Sequence, residues 1–525
     1  MVYAAPADRK NPGVTATALL SLLAHSLPLT GAVCFIYSMN PLLLRGLRAG
    51  AVVCLLAPLA GSSSVTDWAA HRPAPTPATP AARPLQGAKP DPAVIAQFGL
   101  YNDAKLQSLI TARGKQMTAI SDRPGDYGFT VVDSPVINAF ATPDGHVYFT
   151  RGIMAYFNNE AQFSGVLGHE LGHITAQHGK KQSRNNTIAG LGMILGSVLA
   201  PRVMQSVGGL VQQGVGLWML KYSRGDENEA DGLGVKYSTK IGYDASYMAD
   251  FFQTLQRTEE QSGSSIPTFL STHPNSADRY TRVKQLAAQA KQTAGRSTFL
   301  VNRDQYLRQI EGLTFGEDPR QGFVESGVFY HPDLKFRFPI PSGWKSQNSP
   351  DKFQMAEPNG KALLVFLGAS GSSLDEAATG LAKAIGVTNA QAQKTTINGF
   401  PALVFEGDQA AQDQQSTPAH VLAQLIQDGN GIFAFVGLAA PASFSAYASQ
   451  FQQAAQGYAR LTDASKLSRQ PEHVHIRTAT GTQTLASALA SAGVPSKRYE
   501  ELAILNGMKT TDKLPKGMLY KVVGK

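Results

Sequence analysis

Asn158-Asn159-Glu160-Ala-Gln-Phe-Ser-Gly-Val-Leu-Gly-His169-Glu170-Leu171-Gly172-His173 is the stretch on which the reading of this chain turns. Asn158 or Asn159 can cap a helix here and Gly179 can end it. On such a helix His169 and His173 are four residues apart, so both imidazoles leave one face. Two nitrogen donors at that spacing suit a zinc ion, and Glu170 beside them can accept a proton from water and later pass it to a leaving amine. One Zn2+ per chain is the expected cofactor.

A catalytic zinc needs a third protein ligand and an open position. Downstream lies Tyr222-Ser-Arg-Gly-Asp-Glu227-Asn-Glu229-Ala-Asp231. Glu227 and Asp231 share a helical face, so Glu227 can ligate while Asp231 accepts a hydrogen bond from a ligand histidine and fixes its tautomer. Glu229 points away from Glu227 and reads as solvated. The metzincin pattern would require Gly at 176 and His at 179, where Ala176 and Gly179 stand. His178 is five residues past His173, off the ligand face, and reads as a surface residue. Gly165, Gly168 and Gly172 form a stripe on the same helix. Each glycine costs up to about 1 kcal/mol against alanine, which suits either ordinary tight helix packing or close approach by another backbone.

Around this centre, 525 residues are too many for one ordinary core. With 43% hydrophobic and 16% charged residues the chain can build packed cores. The net charge of +9 is uneven: residues 1–61 carry +3, residues 466–525 carry +6, and the stretch between balances. A broadly basic nucleic-acid binder is excluded on that ground, so no nucleic-acid partner is expected. Residues 14–37 and 49–61 are apolar, and Met39, Arg45 and Arg48 precede the second run as in a signal peptide. Either translation starts at Met39, or residues 14–37 remain as a membrane anchor. Cys34 and Cys54 both lie in this leader, so neither disulfides nor thiol chemistry support the mature chain. Leu59-Ala-Gly-Ser62 lacks the cysteine that lipidation needs, which points to an exported, unlipidated, periplasmic protein.

Seven prolines within residues 73–92 mark a semi-extended tether. Asp91-Pro92 then opens helices to about residue 118. Strands are expected at 129–132, 136–141 and 146–150, the last two joined by Pro143-Asp-Gly145. Helical patterns fill about 158–290. Residues 187–220 carry one charge, Arg202, and read as a buried helical pair or a flap over the zinc cleft rather than a membrane hairpin. A new domain starts near 323, with strands at Phe336–Ile340, Ala362–Leu367, Ala402–Glu406 and Ile432–Leu438. A helix near 443–460 puts Phe444, Tyr447, Phe451 and Tyr458 on a core face. Residues from about 472 read as a small separate unit. Asn138, Ala139 and Phe140 fall where a sheet edge above the cleft could take an unfolded substrate as an added strand, as opposed to a fully paired strand.

His169-Glu-Leu-Gly-His173 with Glu227-x-x-x-Asp231, Asn138-Ala-Phe-Ala-Thr-Pro-Asp-Gly, Tyr222-Ser-Arg and Ser271-Thr-His273-Pro-Asn-Ser-Ala-Asp-Arg279 together resemble the HtpX-like and CAAX-prenyl-protease-like zinc endopeptidases, a minigluzincin group, over about residues 92–322. The exported branch is similar to periplasmic proteases that degrade misassembled outer-membrane proteins. The resemblance implies His169, His173 and Glu227 as zinc ligands, Glu170 as general base and acid, and Asp231 behind them. It also implies a catalytic place for His273 near the metal, in the open position at rest or beside the oxyanion, with Arg279 as an oxyanion or gating residue.

Phe338-Pro-Ile-Pro-Ser-Gly-Trp344 resembles a PsbP-like α+β domain. Gly481-Thr-Gln-Thr-Leu485, Leu502-Ala-Ile-Leu-Asn506-Gly and Leu514-Pro-Lys-Gly517 resemble a LysM-like module, with Gln483 in place of the usual acidic residue. The expected fold class is α+β and multidomain. Behind a leader (1–61) and a Pro-rich linker (62–91) come a mainly helical zincin-type peptidase domain with a small β-sheet (92–322), an α+β domain (323–465) and a small basic LysM-like domain (466–525). The implied partners are unfolded or misassembled proteins, with outer-membrane assembly machinery or peptidoglycan at the C-terminal domains. Two other readings are a latent metal-bound scaffold or chaperone, and a cell-wall-binding protein acting through those domains.

Overall fold

The computed structural model describes residues 89–180, 222–262, 268–273, 278–409 and 418–525. The leader, most of the proline-rich linker, both cysteines and the apolar 187–220 stretch lie outside these residues. Among the described residues the fold is mixed α and β, and no helix is long and apolar enough to cross a membrane.

Helix α1 (Pro92–Phe98) starts as the Asp-Pro pair dictates, with the Asp91 carboxylate accepting from Ala93 N. Helix α2 (Ala104–Ala119) is capped by Asp103 in the same way. Strands β1 (Gly128–Val132), β2 (Ala139–Ala141) and β3 (His146–Thr150) form a sheet in the order β1-β3-β2, so β2 is an edge. Strand β2 is shorter than the expected 136–141. Thr150 N donates to Asn138 O, and beyond that bond the Thr150 hydroxyl donates to Val136 O and accepts from Asn138 N. Helix α3 (Arg151–Tyr156) leads to α4 (Glu160–Thr175), whose cap is Asn159, accepting from Gln162 N at 2.8 Å. Gly179 does not end α4. The helix stops at Thr175, and Gln177 takes a left-handed conformation (φ 59°).

Helix α5 (Arg224–Lys240) begins with a capping box between Ser223 and Asp226. It packs along α4 through glycine. A Cβ on Gly168 would lie 2.9 Å from Gly234 O, and one on Gly172 would lie 3.1 Å from Ala230 Cα, whereas Gly165 faces the Met248 side chain. Close backbone approach therefore explains two of the three glycines. Helices α6 (Tyr247–Ser262), α7 (Thr268–Thr272), α8 (Arg279–Thr293) and α9 (Arg303–Gln309) complete this half, followed by the short strand β4 (Thr314–Phe315).

Strands β5 (Phe323–Glu325), β6 (Val328–His331) and β7 (Phe336–Pro339) join β15 (Ala459–Arg460) in one sheet. A seven-stranded antiparallel sheet is built from β8 (Lys345–Ser349), β9 (Lys352–Ala356), β10 (Ala362–Gly368), β11 (Val387–Ile397), β12 (Phe400–Gln409), β13 (Ala419–Asp428) and β14 (Gly431–Ala439). Its central strands bury both faces with period two. Leu363 and Val365 pack under α10 (Leu374–Ala384), while Leu364 and Phe366 face α11 (Ser445–Gln456). Phe444, Phe451 and Tyr458 belong to that second core, with Tyr447 packed against it.

Residues 472–524 do not stand apart as the sequence suggested. After α12 (Ala464–Leu467), β16 (Glu472–Thr478) pairs with both β4 and β19 (Leu519–Gly524). Strand β17 (Gln483–Thr484), α13 (Leu485–Ser491), α14 (Tyr499–Leu505) and β18 (Lys513–Leu514) lie between them. Val474, Leu485, Leu502, Leu505, Leu519 and Val522 share one hydrophobic core with Ile110, Phe149, Leu167 and Phe251. The Lys521 ammonium is fully buried and donates to Ala155 O and Phe157 O, at the end of α3. The sequence marked this stretch as a unit of its own and gave no sign that one face would be spent on the helical half.

Candidate metal centre

Helix α4 is buried from end to end, so its two histidines project into protein rather than solvent. His169 Nε2 and His173 Nε2 are 3.0 Å apart. Helix α5, held close by the glycine seam, brings Glu227 to 3.6 Å from His169 Nε2 and 3.5 Å from His173 Nε2. His273, just past α7, is fixed by His273 N donating to Phe269 O and by stacking on the Phe269 ring. Its Nδ1 lies 3.3 Å from His169 Nε2 and 2.9 Å from Glu227 Oε1. One donor atom from each of these four buried residues falls within 4.8 Å of the others. Ligands on a tetrahedral zinc at about 2.0–2.1 Å stand roughly 3.3 Å apart, so the donor set fits that ion in type and spacing.

Glu170 is fully buried, and neither carboxylate oxygen has a hydrogen-bond partner among the described residues. Burial raises its pKa above the ordinary glutamate value, an effect that the charges of His273 and His169 partly oppose. His273 lies beside it, with Nε2 at 3.6 Å from Oε1. Burial would also raise Glu227, but His273 and Arg279 outweigh it and hold that carboxyl below its usual value. His173 is pushed well below an ordinary histidine, by burial first and then by the neighbouring His169 and His273. His273 is penalised by burial yet raised overall by Glu227 and Glu170.

Asp231 lies behind His169, with Oδ1 3.0 Å from Nδ1, as its spacing from Glu227 suggested. Burial raises its pKa, but Arg279 and His169 reverse the sign and leave it far below an ordinary carboxyl. Arg279, at the start of α8, grips Asp231 with Nε and one terminal nitrogen at 2.9 and 2.8 Å and reaches Glu227 Oε2 at 3.0 Å. Arg282 adds a contact to Asp231 at 2.6 Å. The guanidinium of Arg279 is thus engaged with the carboxylates behind the donors.

His178 corrects the sequence reading. It is 1% exposed, and its Nδ1 lies 2.9 Å from His173 Nδ1. The helical projection failed because α4 stops at Thr175 and the left-handed Gln177 turns the chain back. Glu229 is half exposed as expected, yet it meets His178 Nε2 at 3.1 Å. Tyr222, which the sequence marks only as part of the Tyr-Ser-Arg motif, stacks its ring on His173 with centroids 3.8 Å apart. Asn138, Ala139 and Phe140 are buried at the β2 edge. Ala141, Thr142, His173 and Tyr222 line one narrow depression that joins β2 to the donor cluster.

Residues 102–287 match Peptidase family M48. A putative beta-barrel assembly-enhancing protease of Vibrio cholerae is 31% identical over 198 residues, covering 36% of this chain and 41% of that protein. The mitochondrial metalloendopeptidase OMA1 of Bos taurus is 32% identical over 168 residues, 30% of this chain and 32% of its own. This chain thus spans less than half the length of the curated relatives it matches. The solution structure of cyanobacterial PsbP from Synechocystis aligns with 26% of this chain and 96% of its own, at 16% identity and a TM-score of 0.22. The peptidase match and the metalloendopeptidases among the relatives support a zinc metalloendopeptidase.

Proposed function

We propose that this chain is an exported zinc endopeptidase that hydrolyses peptide bonds of unfolded or misassembled envelope proteins in the periplasm. The reading rests above all on one observation: four buried donors converge beside a buried glutamate whose oxygens have no hydrogen-bond partner among the described residues. The link to envelope protein assembly is supported by the relatives named for enhancing β-barrel assembly, and the exported compartment by the signal-peptide pattern at residues 39–61.

His169, His173 and Glu227 would hold the zinc, which would supply a Lewis acid for the scissile carbonyl and a lowered pKa for water. Glu170 accepts a proton from the attacking water at a carboxylate oxygen and delivers it to the leaving nitrogen, and its raised pKa suits both directions. Arg279 and Asp231 hold Glu227 and His169 in place. An extended substrate adds along the outer edge of β2 through main-chain hydrogen bonds; of Asn138, Ala139 and Phe140, Ala139 is the residue turned away from β3, since Asn138 already pairs with Thr150, and such recognition is tolerant of sequence.

His273 favours a second state of the same site. Its Nδ1 sits among the donors, so it serves as a fourth ligand at rest and holds the enzyme latent. Outer-membrane assembly machinery and peptidoglycan are the partners proposed for the C-terminal region. The test is cleavage of an unfolded protein by the purified chain and by Glu170→Gln at equal zinc loading. Cleavage by the wild type alone supports the endopeptidase and its base. Cleavage by neither, with zinc bound, favours the latent scaffold.

A further inference from the structure

The two histidines of α4 face the metal position with the same nitrogen, but different groups hold them from behind. Their Nε2 atoms lie 3.0 Å apart and both approach Glu227, so Nε2 is the atom each ring offers. A neutral imidazole that offers Nε2 keeps its proton on Nδ1. The Nδ1 of His169 donates to Asp231, a fully buried carboxylate pinned by Arg279 and Arg282. The Nδ1 of His173 is met instead by His178 Nδ1 at 2.9 Å. His178 must then accept, which places its own proton on Nε2. That nitrogen points to Glu229 Oε2 at 3.1 Å and Asp226 Oδ1 at 3.5 Å.

We infer that His178 is a positioning residue for His173: a buried histidine that fixes the tautomer and ring orientation of a metal ligand and links it to the carboxylates Glu229 and Asp226. Every proton in the chain Glu229–His178–His173 is assigned by the demand that His173 present Nε2, and each distance is within hydrogen-bond reach or just beyond it. One zinc histidine is thus locked by a buried, doubly clamped carboxylate. The other is held by a relay ending on side chains that are 53% and 26% exposed.

The inference rests on the zinc endopeptidase reading and is tested by zinc affinity, measured by competition with a chelating dye, alongside kcat/KM and the melting of the metal-free protein. His178→Phe keeps a ring but removes the acceptor, and its zinc affinity is expected to fall about 10- to 100-fold. His178→Asn restores an acceptor near the Nδ1 position and is expected to recover most of that loss. If His178→Phe does not fold, Glu229→Leu serves in its place, with a smaller fall in affinity expected. Unchanged zinc affinity in the folded acceptor-less variant overturns the relay. So does a His178→Asn variant as weak as His178→Phe when both metal-free proteins melt like wild type. A wild type that takes up no zinc overturns the relay together with the endopeptidase reading, whereas a zinc-loaded wild type beside an unchanged variant overturns the relay alone.

Discussion

Gly168→Ala sets two effects of known size against each other at the α4–α5 seam. Alanine gains up to about 1 kcal/mol of helix propensity over glycine in a helix interior. Its Cβ, however, would lie 2.9 Å from Gly234 O and 3.1 Å from Gly234 Cα. Backbone atoms cannot swing aside as a side chain does, so the two helices must separate by about half an ångström to reach ordinary contact, and overpacking of this kind costs about 1–3 kcal/mol. The net expectation is a loss of roughly 1 kcal/mol. The same movement pulls Glu227 on α5 away from His169 and His173 on α4. Half an ångström is about the whole tolerance of a preorganised site, so zinc affinity is expected to drop about tenfold. Gly232→Ala is the control: it lies on the same helix α5, and an added Cβ there meets nothing within 4 Å. That variant is expected to gain up to about 1 kcal/mol and to bind zinc as wild type does. The assay is paired thermal melting and zinc competition for both variants. Equal melting temperatures and equal zinc affinities would refute the claim that backbone contact along the seam sets the site.

His273→Ala removes a fourth donor, so zinc affinity should fall and turnover of an unfolded protein should change; unchanged affinity and kinetics would remove His273 from the site. A chain ending at residue 465 loses Val474, Leu485, Leu502, Leu505, Leu519 and Val522 from the shared core. At about 1.5–3 kcal/mol each that approaches or exceeds the whole stability of an ordinary domain. It is expected to show no cooperative melting, and a folded, zinc-binding 89–465 chain would contradict this. Burial holds the Lys521 ammonium well below the ordinary lysine pKa. Between the folded pKa and about 10.5 the unfolded chain binds the extra proton, so stability rises with pH there. Lys521→Met should flatten that slope in denaturant melts between neutral and alkaline pH, and an unaltered slope would show that the ammonium titrates normally.

The parts of the site that lie on continuous helices were legible in the sequence. The i,i+4 spacing of His169 with His173, and of Glu227 with Asp231, translates directly into shared faces, and both pairs converge in the structure. What depended on where a helix stops was not legible. His178 was assigned to the surface by extending α4 past Thr175, and a single left-handed residue reversed that. Arg279 carries no local signal that its guanidinium would be spent on Asp231 and Glu227, because those partners are 48 and 52 positions upstream in the chain. Strand β11 was missed for a different reason. Its residues 388–396 are exposed and mostly polar, and it lies at the edge of its sheet, so no alternation marks it. Strands β10, β12 and β14, buried on both faces, announced themselves as apolar runs.

The shared core has a consequence in time. Lys521 closes hydrogen bonds on residues 155 and 157, more than 360 positions earlier in the chain. Synthesis adds about 5–20 residues per second, so helix α4 emerges roughly 20–70 s before the strand that completes its core. During that interval the growing chain holds both histidines and the glutamate between them on an unfinished scaffold. Its peptidase centre reaches its final support only when nearly all of this sequence has been made, and a product truncated before β19 has the motif without the fold that arms it.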